Sequence, residues 1–172
     1  MKILCDSSYL LPLIKVSIEG IPPNLLLELL VESKHKYYYS EISLFKITAK
    51  GLKLIDKEET ITLQDVMSGL DAIQNDSRLE ILSWTNNPYV LELASKFRAI
   101  HRDVIDCLIF ATAICYCDCV ITMDHNFYNR INQNSSILSE ILSLNKNFHF
   151  WFDDLSGDPI LLSEEKKTNT IL

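Results

Sequence analysis

The sequence predicts an α/β sandwich built on a mostly parallel sheet. Short apolar segments of strand length alternate along the chain with segments of helical periodicity. Several of the strand segments also end directly at an acidic residue. Functional sites in parallel α/β sheets lie just beyond the carboxyl ends of the strands. Acids in these positions therefore bear on function as well as on fold.

The predicted strands are short and rich in β-branched and aromatic residues. They cover residues 2–5, 37–39, 79–84, 119–123 and 148–152. Helical spacing and N-capping residues predict helices over residues 9–11, 25–31, 41–54, 62–73, 88–101, 104–116 and 137–144. A polar segment without a predicted helix connects Asp124 to Ser136. The order of the segments gives helices between successive strands.

Composition is typical of one globular domain. The chain has 172 residues, of which 48% are hydrophobic and 23% charged. We expect the domain to span residues 1–152, with 56–78 as a helical extension within it and 153–172 as a loosely held polar tail. No segment approaches the ~20 apolar residues of a membrane span. The amino terminus lacks the pattern of a signal peptide, so a cytoplasmic protein is expected.

The net charge and the cysteine content further restrict what kind of protein this is. The net charge of −7 argues against a protein that coats nucleic acid with a broad basic surface. Five cysteines stand inside apolar runs, which is typical of buried free thiols in a reducing compartment. Cys115, Cys117 and Cys119 alternate, but this is not the spacing of a zinc site.

Four acidic residues occupy the positions where a site is expected. Asp6, Glu41 and Asp124 each follow a predicted strand, and Asp106 lies in the first turn of the apolar helix 104–116. Carboxylates gathered at one edge repel one another, so they need protons or cations among them. Hard oxygen ligands suit Mg²⁺ or Mn²⁺. An ion held in this way can activate a water and neutralise the leaving oxygen of a phosphodiester.

Each acid also has a purely structural interpretation. For Asp103, a helix N-cap is favoured over metal ligation. Asp106 and Glu41 stand in first helical turns, where a carboxylate is favourable to the helix dipole. Asp6 and Asp124 can begin turns. Each signal is weak alone, and their joint placement at strand ends carries the prediction.

Neighbouring polar residues have two interpretations as well. Thr122 shares a strand face with Asp124, so its hydroxyl can hold a carboxylate or a water, or simply be a satisfied strand threonine. Ser7 is favoured as a helix cap. Lys46 and Arg102 can meet RNA phosphate, but an ion pair with a nearby acid is favoured for both.

Four short motifs together resemble one known family. They are Asp6-Ser7-Ser8, Ser40-Glu41, Asp103-x-x-Asp106-x-Leu-Ile-x-Ala-Thr-Ala113 and Ile121-Thr122-x-Asp124-x-x-Phe127. This set is similar to the PIN-domain family of metal-dependent ribonucleases, many of which are toxins of prokaryotic toxin–antitoxin pairs. The resemblance runs from about residue 2 to residue 152, and residues 101–127 are its most specific part.

The resemblance implies a three-layer α/β/α sandwich with a parallel five-stranded sheet. It also implies that an acidic quartet holds Mg²⁺ or Mn²⁺, with supporting roles for nearby polar side chains. Carried over by position, the quartet is Asp6, Glu41, Asp106 and Asp124, and the supporting residues are Ser7, Thr122 and Asp103. The expected reaction is hydrolysis of RNA by a metal-activated water, leaving a 5′-phosphate and a 3′-hydroxyl. A homodimer and a cognate antitoxin protein are the expected partners.

Two features of the sequence depart from the pattern of that family. The sequence also leaves two other functions open. Residues 56–78 lengthen the chain, and the stretch 104–107 lacks the Pro and Arg that often surround the third acid of the toxins. One alternative is a catalytically weak PIN-like module that binds RNA or protein. The other is a phosphate-transferring enzyme with Asp6 as nucleophile, which would need a second acid where Ser8 stands.

Overall fold

Five parallel strands form a single sheet at the centre of the computed structural model, which describes residues 1–18, 22–32, 34–57 and 61–152. The strand order is β3-β2-β1-β4-β5, and all four neighbouring pairs are parallel. The strands are β1 (Lys2–Cys5), β2 (Lys36–Ser40), β3 (Leu79–Leu82), β4 (Cys119–Thr122) and β5 (His149–Phe152). The predicted parallel sheet is confirmed, whereas the predicted tail, 153–172, lies outside the described residues.

Eight α-helices accompany the sheet within the described ranges. They are α1 (Ser7–Leu10), α2 (Leu25–Glu32), α3 (Glu41–Ile55), α4 (Leu63–Asn75), α5 (Pro88–Phe97), α6 (Val104–Tyr116), α7 (His125–Asn132) and α8 (Ser135–Leu144). A 3₁₀ turn, Leu11–Ile14, extends α1 at Pro12, where the helix lacks a backbone donor. None of the helices in the described part of the chain is both long and apolar enough to cross a membrane.

Helices cover both faces of the sheet, which gives the three-layer sandwich expected from the sequence. Alternate residues of β1 point to opposite faces, so Ile3 and Cys5 pack with residues of α1 to α4, whereas Leu4 packs with residues of α5 to α8. Burial on both faces explains why the inner strands are continuous apolar runs rather than alternating ones.

Helix α6 is the most deeply buried helix and fixes the position of Asp106. Every residue from Asp106 to Ile114 is buried, because the helix lies between α5 and the sheet. Asp103 is its N-cap, and its Oδ1 accepts hydrogen bonds from the backbone N–H groups of Ile105 and Asp106 at 2.8 and 3.3 Å. The favoured interpretation of Asp103 as a cap therefore matches the structure.

The largest correction concerns the polar segment between Asp124 and Ser136, most of which is helix α7. Its hydrophobic signal is sparse because only two residues, Phe127 and Ile131, face the core. They are one helical turn apart, which is the minimum pattern that one buried stripe requires. The helix predicted over 88–101 is also too long, since α5 ends at Phe97.

Helix α4 lies within the interval 56–78 and packs into the core of the domain. Val66 and Ile73 are buried in the layer of α1 to α4. Gly69 faces the 3₁₀ turn so closely that an added Cβ would lie 2.3 Å from the backbone oxygen of Leu13. This helix therefore packs backbone against backbone at a position that only glycine can occupy.

We expect Gly69→Ala to lower the free energy of unfolding by about 1–3 kcal/mol, because overpacking against backbone forces the helix away from the turn. In an open helix position the same change would raise stability by up to about 1 kcal/mol. Urea denaturation measures the difference, with the exposed neighbour Ser68→Ala as control. A Gly69→Ala protein as stable as the wild type would show that α4 does not pack in this way.

Candidate metal centre

Asp6 stands at the carboxyl end of β1 and is held by four hydrogen bonds. Its Oδ1 accepts from the backbone N–H of Ser7 at 2.6 Å and from the Ser7 hydroxyl at 3.1 Å. Its Oδ2 accepts from the hydroxyls of Ser8 at 3.2 Å and Thr122 at 3.0 Å. These donors fix the orientation of a carboxylate that is 8% exposed.

Thr122 connects Asp6 to Asp124 across neighbouring strands. While its hydroxyl donates to Asp6, the same oxygen accepts a hydrogen bond from the backbone N–H of Asp124 at 3.1 Å. Asp124 in turn caps α7, with its Oδ1 accepting from the backbone N–H of Phe127 at 2.9 Å. The last residue of β4 therefore positions acids from two separate parts of the chain.

Asp106 reaches the same edge of the sheet from the first turn of α6. The Lys46 ammonium forms an ion pair with its Oδ1, and His101 Nε2 lies 3.4 Å from its Oδ2. Burial raises the pKa of Asp106 to about 6, aided by the charge of Asp6 and opposed by Lys46. Burial lowers the pKa of Lys46, but the charges of Asp6 and Asp106 outweigh it, so that pKa is raised.

His101 adds a nitrogen ligand to the acids. One potential ligand atom from each of His101, Asp106 and Asp124 lies within 4.8 Å of the others. The imidazole is buried against Phe127, with ring centroids 4.3 Å apart, and its Nδ1 has no hydrogen-bond partner in the described part of the protein. Two carboxylates and an imidazole fit a divalent transition ion such as Mn²⁺, and the carboxylate of the neighbouring Asp6 is of the hard oxygen type that Mg²⁺ prefers.

The structure brings together most of the residues predicted from the sequence. Asp6, Asp106 and Asp124 meet with Ser7 and Thr122, and Asp103 is close enough for its charge to act on Asp106. Glu41 begins α3 at the end of β2. Among the described residues, no hydrogen bond or ion pair joins Glu41 to the other three acids. Its place in the site stays a prediction.

Two residues of this cluster were not among the predicted site residues. His101 precedes the N-cap of α6, and nothing in the sequence marks it as a site residue except its position five residues before Asp106. Lys46 was expected to pair with a nearby acid, and it does, but that acid is Asp106, and the lysine side chain is only 29% exposed. Lys46 therefore belongs to the centre rather than to the surface.

An open cavity of about 260 Å³ adjoins the centre. Asp6 and Asp124 line it on the side of the sheet, and Lys46 and Lys50 line it on the side of α3. Residues four apart share a helix face, so both ammonium groups can reach the same space. The cavity therefore offers a positively charged wall opposite the acids.

The comparisons with known proteins show the fold alone. No protein-family model matches the sequence, and no curated protein matches it. The structure is similar to a chain in the crystal structure of VapBC2 from Rickettsia felis bound to a DNA fragment from their promoter. The TM-score is 0.54 at 18% identity, and the match covers 90% of this chain and 100% of that one. This likeness confirms the PIN-like α/β/α sandwich that the sequence motifs imply.

We expect Thr122→Val to lower the free energy of unfolding by about 1–3 kcal/mol, because it leaves the backbone N–H of Asp124 without its acceptor and removes one of the two hydroxyls that donate to Oδ2 of Asp6. Thr112→Val is the matched control. That hydroxyl is equally buried but only donates to the carbonyl of Leu108 one helical turn back, so its loss should cost less than about 1 kcal/mol. Chemical denaturation of both variants provides the test. Equal losses would show that Thr122 does not join the two acids.

Proposed function

We propose that the protein is a divalent-metal-dependent endoribonuclease, with residues 1–152 as the nuclease domain. The observation that carries the proposal is the convergence of three acids from separate parts of the chain at the carboxyl edge of the sheet. Buried carboxylates this close are unfavourable without a cation. The cluster is also the kind of site that a metal-dependent hydrolase of phosphodiesters needs.

His101, Asp106 and Asp124 are the residues that would hold the ion, with Asp6 beside them. Glu41 completes the quartet on the strength of the sequence resemblance. When bound, Mg²⁺ or Mn²⁺ would supply a water of lowered pKa and neutralise charge on the leaving oxygen. Asp6, fixed by its four donors, would keep one orientation while the substrate changes.

Lys46 and Lys50 would serve the substrate side of the reaction. An RNA chain that approaches Asp6 and Asp124 brings further negative charge to an acidic edge. Two ammonium groups on the wall of the cavity offset that charge where a phosphate would enter. The small basic wall fits a protein that is acidic overall, because only the nucleotides near the cleaved bond need to be held.

The Lys46–Asp106 ion pair favours a second candidate, the catalytically weak PIN-like module that binds RNA or protein. An acid already neutralised by a lysine has less need of a metal ion. Incubation of the purified protein with a mixed RNA pool and Mn²⁺ separates the two functions. Binding without cleavage would support the module.

We further propose that a cognate antitoxin protein and a second copy of the chain are its partners. The sequence resemblance implies both, and the fold likeness to a chain of VapBC2, which is bound to promoter DNA in its crystal structure, supports the first. Co-purification from cells that express the neighbouring gene would test the antitoxin, and light scattering would test the dimer.

We expect Asp106→Asn and Asp124→Asn each to reduce Mn²⁺-dependent RNA cleavage by about 100-fold or more, because each removes one negative ligand from the ion. EDTA should abolish the wild-type activity. The cleavage products, separated on a gel, should carry 5′-phosphates, and circular dichroism should show that both variants fold.

Asp118→Asn is the control for loss of an acid elsewhere. Asp118 precedes β4, at the opposite edge of the sheet, where its side chain accepts a hydrogen bond from the backbone N–H of Lys2 at 2.8 Å. The Asp118→Asn protein should therefore cleave RNA like the wild type. Full activity in either active-site variant, or activity that persists in EDTA, would refute the proposed mechanism.

A further inference from the structure

Lys46 places a positive charge where the proposed function requires a divalent ion. Its ammonium pairs with Oδ1 of Asp106, the most buried of the three acids. The charges of Asp6 and Asp103 also act on it. The lysine therefore interacts with Asp106, which would bind the ion, and with two further carboxylates close to it.

Such an ammonium stabilises the protein when no ion is present. Asp6 and Asp106 repel each other, since the charge of each raises the free energy of ionising the other. A lysine between them offsets that repulsion through a charge-assisted hydrogen bond. A divalent ion that binds Asp106 must either displace the ammonium or remain close to a like charge, and both are unfavourable.

We propose that Lys46 is an internal cation that competes with the divalent ion for Asp106 and so weakens metal binding by the unliganded protein. This inference rests on the proposed metal site but goes beyond it, since it assigns to one residue the control of how readily that site fills. The competition is reciprocal: whatever draws the ammonium away from Asp106 should strengthen metal binding by the same factor.

Titration calorimetry of the full chain with Mn²⁺ alone tests the inference without any RNA. Lys46→Gln keeps a polar side chain of similar reach and removes the charge, so we expect it to bind Mn²⁺ roughly tenfold more tightly or better. Lys53→Gln is the matched control, because it removes the same charge from an exposed position two turns further along α3. Its affinity should stay within about threefold of the wild type.

A second pair of variants locates the effect at Asp106. In the Asp106→Asn background, the ion has lost one ligand and Lys46 has lost its ion-pair partner. Lys46→Gln should therefore no longer give the full gain in Mn²⁺ affinity. Lys46→Arg keeps the charge and should bind Mn²⁺ about as weakly as the wild type. If Lys46→Gln does not fold without the ion, Mn²⁺ should restore its thermal transition, because binding to the folded state stabilises it.

Several results would overturn the inference. Lys46→Gln could bind Mn²⁺ no more tightly than the wild type, Lys53→Gln could give an equal gain, or Mn²⁺ could fail to restore an unfolded Lys46→Gln protein. If the wild type binds Mn²⁺ and cleaves RNA but Lys46→Gln shows no gain, only the inference fails. If Lys46→Gln binds tightly and neither protein cleaves RNA, the proposed ribonuclease function fails and the inference stands. Absence of Mn²⁺ binding in every variant would reject both.

Discussion

Repulsion between carboxylates at the carboxyl edge of the parallel sheet is the constraint on which the candidate site depends. The parallel topology brings the ends of β1 and β4 side by side, with Asp6 directly after β1 and Asp124 two residues after β4. Local contacts then offset the negative charge of each carboxylate. Hydroxyl and backbone donors satisfy Asp6, a helix cap satisfies Asp124, and the Lys46 ammonium meets Asp106. Each acid therefore has its own partner, and a common ion would add to an arrangement that is already held.

Burial of α6 makes that arrangement rigid. Because nearly every residue of this helix is enclosed, its first turn cannot shift without opening contacts with α5 and the sheet. Apolar packing therefore holds the backbone of Asp106 in place, while Lys46 and His101 contact its carboxylate. The same packing removes water from around its carboxylate, which raises its pKa and strengthens the attraction of any nearby cation. Stability and chemistry are thus linked through one helix.

Sequence patterns predicted the fold well because the inner strands and the central helix are continuous apolar runs. They missed α7 because its core contact needs only Phe127 and Ile131 among polar residues.

For the site, the order of strands and acids was enough to predict that Asp6, Asp106 and Asp124 lie close together. It could not show which residue of α3 faces them. Side chains advance by about 100° per helical residue, so the rotation of α3 about its axis decides that Lys46 reaches Asp106. A sequence gives the periodicity of a helix but not its rotation about its own axis. The sequence did not identify His101 as a site residue for a similar reason, because its position depends on the path of the chain between α5 and α6.

The rotation of α3 has a chemical consequence. Lys46 on this helix brings a positive charge to Asp106 and so reduces the need for an added cation. Lys50 then follows one turn later and faces the cavity with the same charge. The face of α3 toward the site is therefore basic where the edge of the sheet is acidic. A polyanion that enters between them meets attraction from one wall and repulsion from the other, and a divalent ion on the acids would remove the repulsion. In the proposed nuclease, metal and nucleic acid should therefore favour each other's binding, because each supplies the charge that the other lacks.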